Sequence, residues 1–158
     1  MEMIELMRLE HVLCLHAGNK AQLLQELVRR AAKALGIDVQ AILDPVMARE
    51  ALGSTGVGDG VAIPHARIAG LTHFFALFAC LERPINFDAV DERPVDLVVL
   101  LLIPAQAEKE HLTALACVSR RLRDPEIARQ LRATSEPAAL YDVLASTVPS
   151  DAGAAERT

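Results

Sequence analysis

Two long, almost wholly apolar segments constrain the fold of this 158-residue chain more than any other feature. They span residues 73–81 and 95–103, and both are too short to cross a bilayer. Strands that are apolar at nearly every position are usually buried on both faces of a sheet. We therefore predict two central strands with helices on both sides. The polar segment 83–94 between them is expected to connect them as a hairpin or meander.

Local signals place helices around these strands. Asn19 and Gly36 bracket apolar residues at helical spacing, as an N-cap and a C-terminal glycine do. Asp44 followed by Pro45 is typical of a helix start, so we expect one short helix to end there and another to begin. The predicted helices are 20–35, 38–43, 45–52, 109–122, 125–132 and 137–146.

Composition narrows the possible functions. The net charge of −5 argues against a general nucleic-acid-binding protein, which needs a basic face. The N-terminus shows no basic region followed by an apolar stretch, so we expect no secretory signal and a cytoplasmic location without membrane insertion. The three cysteines, Cys14, Cys80 and Cys117, lie among apolar neighbours. We predict buried reduced thiols rather than disulfides or a metal site.

The segment most informative about chemistry is a glycine-rich loop that leads to His65. Residues 53–60 contain four glycines, and a short strand over 61–63 and Pro64 follow before the histidine. Such a loop can expose backbone N–H groups to an anion. A neutral imidazole is a nucleophile near neutral pH and can accept a phosphoryl group reversibly. The loop does not match a nucleotide-binding motif, because Gly-Lys-Ser/Thr is missing and the strand follows the glycines.

Two further residues have the chemistry that a phosphoryl site needs. Arg49 lies on the helix just before the loop, and its guanidinium can bind two phosphate oxygens. His111 begins the helix that follows the second apolar strand, where an N–H donor and the helix N-terminus both favour an anion. Each residue alone is more often a structural or solvated side chain, and spacing alone does not show that Arg49, His65 and His111 converge.

Residues 53–65, which end in Ile-Pro-His, resemble the signature of the phosphotransferase-system enzyme IIA domains of the fructose/mannitol type. The similarity is greatest to the nitrogen-regulatory branch and runs from about Ile4 to Leu144. Further matching segments are residues 84–89, 94–97, 102–105 and 111–115. The resemblance implies a single α/β domain over residues 1–148, with a mixed, mainly parallel sheet and helices on both faces. Residues 149–158 are expected to form a flexible tail.

The resemblance also implies a mechanism and its residues. The family's active histidine accepts a phosphoryl group on Nε2 from the phosphohistidine of a small carrier protein, HPr or its nitrogen-branch counterpart NPr, and His65 occupies that position. The family's second active-site histidine and its arginine fall on His111 and Arg49. We assign phosphate binding to four residues of the loop and expect no metal or other cofactor. These four residues are Ser54, Thr55, Gly58 and Gly60.

Three functions remain open at this level. The first is a regulator whose phosphorylation state controls partners such as potassium transporters or sensor kinases, and the nitrogen-branch resemblance favours it. The second is a phosphodonor to a fructose/mannitol-type permease component, and the third is a binding module with an inactive site. Whether the carrier counts as an enzyme is also open, as are the roles of Asp59 and of the arginines concentrated in the late helices.

Overall fold

The computed structural model describes residues 1–146, in which a six-stranded sheet lies between helices. The strands are β1 (Val12–Leu15), β2 (Gly56–Gly58), β3 (Val61–Ala62), β4 (His65–Ile68), β5 (Phe75–Ile85) and β6 (Val95–Pro104). The helices are α1 (Lys20–Leu35), α2 (Val39–Ala51), α3 (Glu110–Arg123), α4 (Pro125–Arg132) and α5 (Pro137–Ala145). Two short 3-10 turns, Met3–Glu5 and Leu9–His11, precede β1.

The sheet is mixed, as the family resemblance implied. Its order is β1-β5-β6-β3-β2, and β4 also pairs with β6. The pairs β1–β5, β3–β6 and β4–β6 are parallel, whereas β5–β6 and β2–β3 are antiparallel. The two apolar segments form β5 and β6, which are central and hydrogen-bonded to each other. This confirms the prediction from their composition.

Helices cover both faces of the sheet, so the predicted α/β class is confirmed. On one face, α1 and α2 pack against alternate residues of the central strands, including Leu77, Val98 and Leu100. On the other face, α3, α4, α5 and the N-terminal turns pack against the intervening residues, including Phe78 and Val99. Side chains of a strand alternate between its two faces, which is why β5 and β6 are apolar almost throughout.

The boundaries of α1 follow from its two end residues, as predicted. The Asn19 side chain accepts a hydrogen bond from the Gln22 N–H (2.9 Å) and caps the first turn. Gly36 adopts the left-handed conformation (φ 68°) that ends many helices.

The predicted break at Pro45 is wrong, because α2 is one continuous helix with Pro45 inside it. Asp38 is the N-cap instead, and its carboxylate accepts from the Gln40 N–H. Ile42, Val46 and Glu50, four residues apart, are buried along one face of this helix. Burial of a continuous face thus outweighs the local cost of an internal proline, about 3 kcal/mol.

Two short strands were not predicted: β2 lies in the predicted loop, and β4 lies in a segment for which no structure was predicted. Within the glycine-rich segment, β2 pairs with β3 in a hairpin whose turn contains Asp59 and Gly60, both at positive φ. After Pro64 the chain continues as β4, in which His65 pairs with Leu101 of β6. The proline ends one strand but not the extended path of the chain.

Cys14 and Cys80 form a disulfide, so the prediction of reduced thiols is wrong for this pair. The two residues are directly opposite each other on the parallel strands β1 and β5, with Cα atoms 4.7 Å apart. Their separation of 66 residues hides this pairing in the sequence. Cys117 is a buried free thiol, as predicted.

Three further observations concern the described part of the chain. Within residues 1–146, no helix has both the length and the apolar character needed to cross a membrane. In the same range, no group of three or more His, Cys, Asp or Glu side chains is arranged to hold a metal ion. The expected tail, residues 149–158, lies outside the described residues.

Candidate functional site

His65 is held at the start of β4 with one ring nitrogen bonded and the other free to react. Its Nδ1 lies 2.8 Å from the carbonyl oxygen of Ile63, two residues earlier. A carbonyl only accepts, so Nδ1 carries the proton and Nε2 keeps its lone pair. The half-buried side chain therefore presents an unprotonated Nε2, the nitrogen that a nucleophilic histidine needs.

A cavity of about 540 Å³ contains His65, Arg49 and His111 together. The sequence could not show that these three residues converge, and the structure places all of them in its wall. They come from β4, the last turn of α2 and the first turn of α3, and the cavity lies at the C-terminal end of β6. The lining residues are Pro45, Ala48, Arg49, Leu52, His65, Ala66, Arg67, Ile103 and His111.

Arg49 enters this cavity from the C-terminal turn of α2. Its Nη1 donates a hydrogen bond to the carbonyl of Gly53 (2.9 Å), which follows the end of the helix. Among residues 1–146 the guanidinium forms no ion pair with a carboxylate, so its positive charge is not cancelled. An uncompensated guanidinium can bind two oxygens of an anion.

His111 shares the cavity with Arg67, a residue that sequence reasoning did not assign to the site. Nδ1 of His111 lies 3.1 Å from Nη2 of Arg67 and also within hydrogen-bonding distance of the Glu108 carbonyl. One nitrogen cannot donate to the carbonyl and accept from the guanidinium at once. When it accepts from Arg67, the proton of a neutral His111 is on Nε2, where it can be donated to an anion.

The strand β4 places Arg67 at the site, and Arg67 was missed because this strand was not predicted. His65 and Arg67 are two residues apart on β4, and such residues lie on the same face of a strand. The alternation was visible in the sequence, but no strand was predicted after Pro64. Arg67 also donates to the backbone carbonyls of Ala105 and Ala107, which connects β4 to the segment before α3.

The surroundings of His65 lower its pKa below the usual 6.5. Burial is the largest cause, since it disfavours the charged imidazolium. The positive charges of Arg49 and His111 also lower it, whereas the hydrogen bond to Ile63 and the Glu50 carboxylate act in the opposite direction. A lowered pKa keeps His65 neutral, and hence nucleophilic, at neutral pH.

Ser54 and Thr55, two predicted phosphate-binding residues, are engaged in protein contacts. The Ser54 hydroxyl donates to the Phe87 carbonyl (2.7 Å) and accepts from the Gly56 N–H. Thr55 is buried, and its hydroxyl bonds to the carboxylate of Glu50. Neither residue lines the cavity, and their role as phosphate ligands stays a prediction.

Gly58 and Gly60, the other two, lie in the hairpin of β2 and β3, away from the cavity. A side chain added at Gly58 would meet the Asp91 carboxylate, and one at Gly60 would meet Arg132 and Asp96. Asp59 between them accepts from Arg123 (3.4 Å). The structure therefore does not bring these residues to His65.

The fold is that of a phosphotransferase-system component, and comparison with known proteins gives the family. The chain belongs to the phosphoenolpyruvate-dependent sugar phosphotransferase system EIIA 2 family, whose profile matches residues 5–147. This confirms the resemblance seen in the glycine-rich segment and in the sequence ending in His65.

Several relatives within this family are nitrogen regulatory proteins. The chain is 49% identical over 131 residues to the one from Bradyrhizobium diazoefficiens, covering 83% of this chain and 86% of the relative. It is 42% identical over 130 residues to the one from Klebsiella oxytoca, covering 82% and 80%. The crystal structure of nitrogen regulatory protein IIA-Ntr from Neisseria meningitidis has a TM-score of 0.83 at 34% identity, covering 89% of this chain and 97% of that one.

Proposed function

We propose that this chain is a phosphocarrier that accepts a phosphoryl group on Nε2 of His65 from the phosphohistidine of a small HPr- or NPr-like protein. We propose further that its phosphorylation state regulates partner proteins. The observation that carries the proposal is the cavity that His65, whose Nε2 is unprotonated, shares with Arg49 and His111. The names of its relatives favour the regulatory role.

The proposed transfer follows from the atoms at the site. Neutral His65 attacks the phosphorus of the donor, and a new N–P bond forms at its Nε2. The donor's N–P bond breaks, and its electron pair returns to the donor nitrogen. Because such transfers depend mainly on positioning and charge stabilisation, the guanidinium of Arg49 and an N–H of His111 are the groups expected to hold the transferred oxygens.

Exposed apolar side chains beside the cavity support a protein as the donor. Leu52 lines the cavity and is 85% exposed, and Leu112, next to His111, is 61% exposed. Large apolar side chains grouped around a reactive group are typical of a surface that a protein covers. A docked carrier would cover them while its phosphohistidine enters the cavity.

Phosphorylation followed by residue mapping tests the proposal. Purified protein is incubated with the phosphorylated carrier, and the product is analysed without acid, because phosphohistidine is acid-labile. We expect one phosphoryl group, on His65, and none in His65→Ala. His73→Ala is the matched control, since His73 is exposed and bonds only to Thr72 among the described residues. Incorporation into His65→Ala at the normal rate would contradict the assignment.

A second experiment, which asks what the phosphorylated protein acts on, distinguishes the regulatory role from the sugar-transport role. The phosphorylated protein is offered to the B domain of a fructose/mannitol-type permease, and partner binding is compared between its two phosphorylation states. Regulation predicts that binding to a target, such as a potassium transporter or a sensor kinase, differs between the states. Rapid and complete transfer to the permease domain, without such a difference, would favour the phosphodonor role.

A further inference from the structure

A buried carboxylate lies behind the candidate site, on the residue next to Arg49. The Glu50 side chain is only 4% exposed. A charge so far from water must be compensated by partners. Lys20 supplies one, with Nζ 2.9 Å from Oε1, and this ammonium also lies 4.5 Å from the ring centre of Phe87. The other partner is Thr55, whose backbone N–H and hydroxyl both donate to the carboxylate.

A short series of hydrogen bonds connects Glu50 to the imidazole of His65. Glu50 holds Thr55 through two donors. The carbonyl of Thr55 accepts from the Ile63 N–H (3.0 Å), and the carbonyl of Ile63 accepts from Nδ1–H of His65 (2.8 Å). The carbonyl that selects the tautomer of His65 is thus positioned through Thr55 by a buried charge.

We propose that Glu50 is a positioning residue for His65: its carboxylate fixes Thr55 and thereby the Ile63 carbonyl that keeps the proton on Nδ1 and leaves Nε2 free. This inference rests on the proposed function for its catalytic consequence, but the tautomer itself is a property of the protein alone. Glu50 does not touch the phosphoryl group, since it lies outside the cavity and its negative charge would repel the group.

The chemistry of the Glu50 position favours this role over a purely structural one. Replacing a buried ion pair by apolar residues of similar volume is often neutral or stabilising, so stability alone is weak support for a charge here. An apolar side chain at position 50 would also leave the Thr55 N–H and hydroxyl without this acceptor. The negative charge of Glu50 also raises the pKa of His65 against the effect of Arg49.

The direct test is the tautomer of His65, read from the nitrogen chemical shifts of ¹⁵N-histidine-labelled protein. Wild type is expected to show a protonated Nδ1 and an unprotonated Nε2. Glu50→Gln should increase the population of the other tautomer, because an amide has one acceptor oxygen for contacts that a carboxylate makes with two. The double variant Lys20→Met/Glu50→Gln should show the same change in tautomer population, and it leaves no unpaired lysine.

The kinetic test uses phosphoramidate, a small P–N donor that needs no carrier protein. At a pH high enough for His65 to be neutral, we expect the rate of its phosphorylation to fall about tenfold to a hundredfold in Glu50→Gln. A small misplacement of a reacting group has an effect of this size. The pH midpoint of the rate should also move lower, because a negative charge that raises the pKa of His65 is lost. Glu26→Gln is the control, since within residues 1–146 Glu26 pairs only with Arg29 and Arg30 on the surface of α1.

Thr55 variants test the same connection without changing a charge. Thr55→Val removes the hydroxyl and should shift the tautomer population of His65 and slow its phosphorylation. Thr55→Ser keeps the hydroxyl and should resemble wild type in both measurements. An unchanged tautomer and pH midpoint in folded Glu50→Gln would overturn the inference, even if the variant were less stable. Failure of wild type to be phosphorylated at His65 would instead reject the proposed function, and the tautomer measurement would still decide this inference.

Discussion

Arginine side chains surround a cavity at each end of β6, but among the described residues they are paired with carboxylates at one end and not at the other. At the C-terminal end, Arg49 and Arg67 donate to backbone carbonyls around a cavity of about 540 Å³. At the N-terminal end, a cavity of about 510 Å³ is lined by four arginines and Asp59. Three of these four pair with carboxylates: Arg123 with Asp59, Arg132 with Asp96 and Arg129 with Glu126.

This difference indicates which end is suited to bind an anion. A carbonyl orients a guanidinium but leaves its net charge in place, whereas a carboxylate cancels it. The N-terminal cavity therefore has more arginines but little net positive charge to offer. Hydrogen bonds from Arg129 and Gln130 lower the pKa of Glu126, one of these carboxylates, to about 2. Uncompensated charge beside a free imidazole nitrogen, rather than the number of arginines, distinguishes the candidate site.

The largest effect expected from this comparison concerns the transfer rate. Arg49→Ala should lower the rate of phosphorylation of His65 about 10²- to 10³-fold, as expected when one donor to a developing charge is removed. Arg132→Ala, at the other end of β6, should leave the rate unchanged. Rates are measured by quench-flow with the phosphorylated carrier. Equal losses in the two variants would show that the ends do not differ in the way proposed.

A smaller effect is expected from His111. His111→Ala removes one N–H donor from the cavity and should slow transfer about tenfold to a hundredfold, the range for a hydrogen bond to a charged group. The same assay checks it, with His73→Ala as a histidine control outside the cavity. A normal rate in His111→Ala would leave Arg49 as the principal cation of the site.

Local signals predicted the parts of this molecule that local interactions decide. The ends of α1 depend on Asn19 and Gly36, which act within one turn of the helix, and both were predicted correctly. The break at Pro45 was wrong because burial of one face of α2 is a tertiary effect. The Cys14–Cys80 disulfide was missed for a similar reason, since strand pairing across 66 residues is not encoded in either neighbourhood.

The candidate site shows the same division. His65 was found because the loop, the proline and the histidine are consecutive. Arg49 and His111 were candidates by their chemistry and position, and the resemblance matched them to the family's site residues. Arg67 was missed because no strand was predicted after Pro64. Four alternating residues are too few to indicate a strand without the pairing to β6 that stabilises β4. Glu50 looks like one more charged helix residue until Lys20 and Thr55 are seen around it.

The order of the two variants should be reversed when the free energy of unfolding is measured instead of the transfer rate. Arg132 donates to Asp96 and to the Asp59 carbonyl, which ties α4 to the turn between β2 and β3. Arg132→Ala should lower the free energy of unfolding by about 1 kcal/mol, the upper range for a partly exposed ion pair. Arg49→Ala loses one exposed bond and should change it by less than about 0.5 kcal/mol. Urea denaturation measures both, and a larger loss for Arg49→Ala would break the comparison.

The smallest expected effect is on the titration of His65. The positive charge of Arg49 lowers the pKa of this imidazole, so Arg49→Gln should raise it, and Arg123→Gln, at the far end of β6, should not. A higher pKa reduces the neutral, nucleophilic fraction in mildly acidic solution, so the acid limb of the rate profile should move to higher pH in Arg49→Gln. NMR titration of the His65 ring in both variants measures the pKa directly. Because the two substitutions remove the same charge, a shift in only Arg49→Gln would show that the field at His65 is set by the nearby guanidinium and not by the net charge of the protein. Identical shifts in both variants would show the reverse.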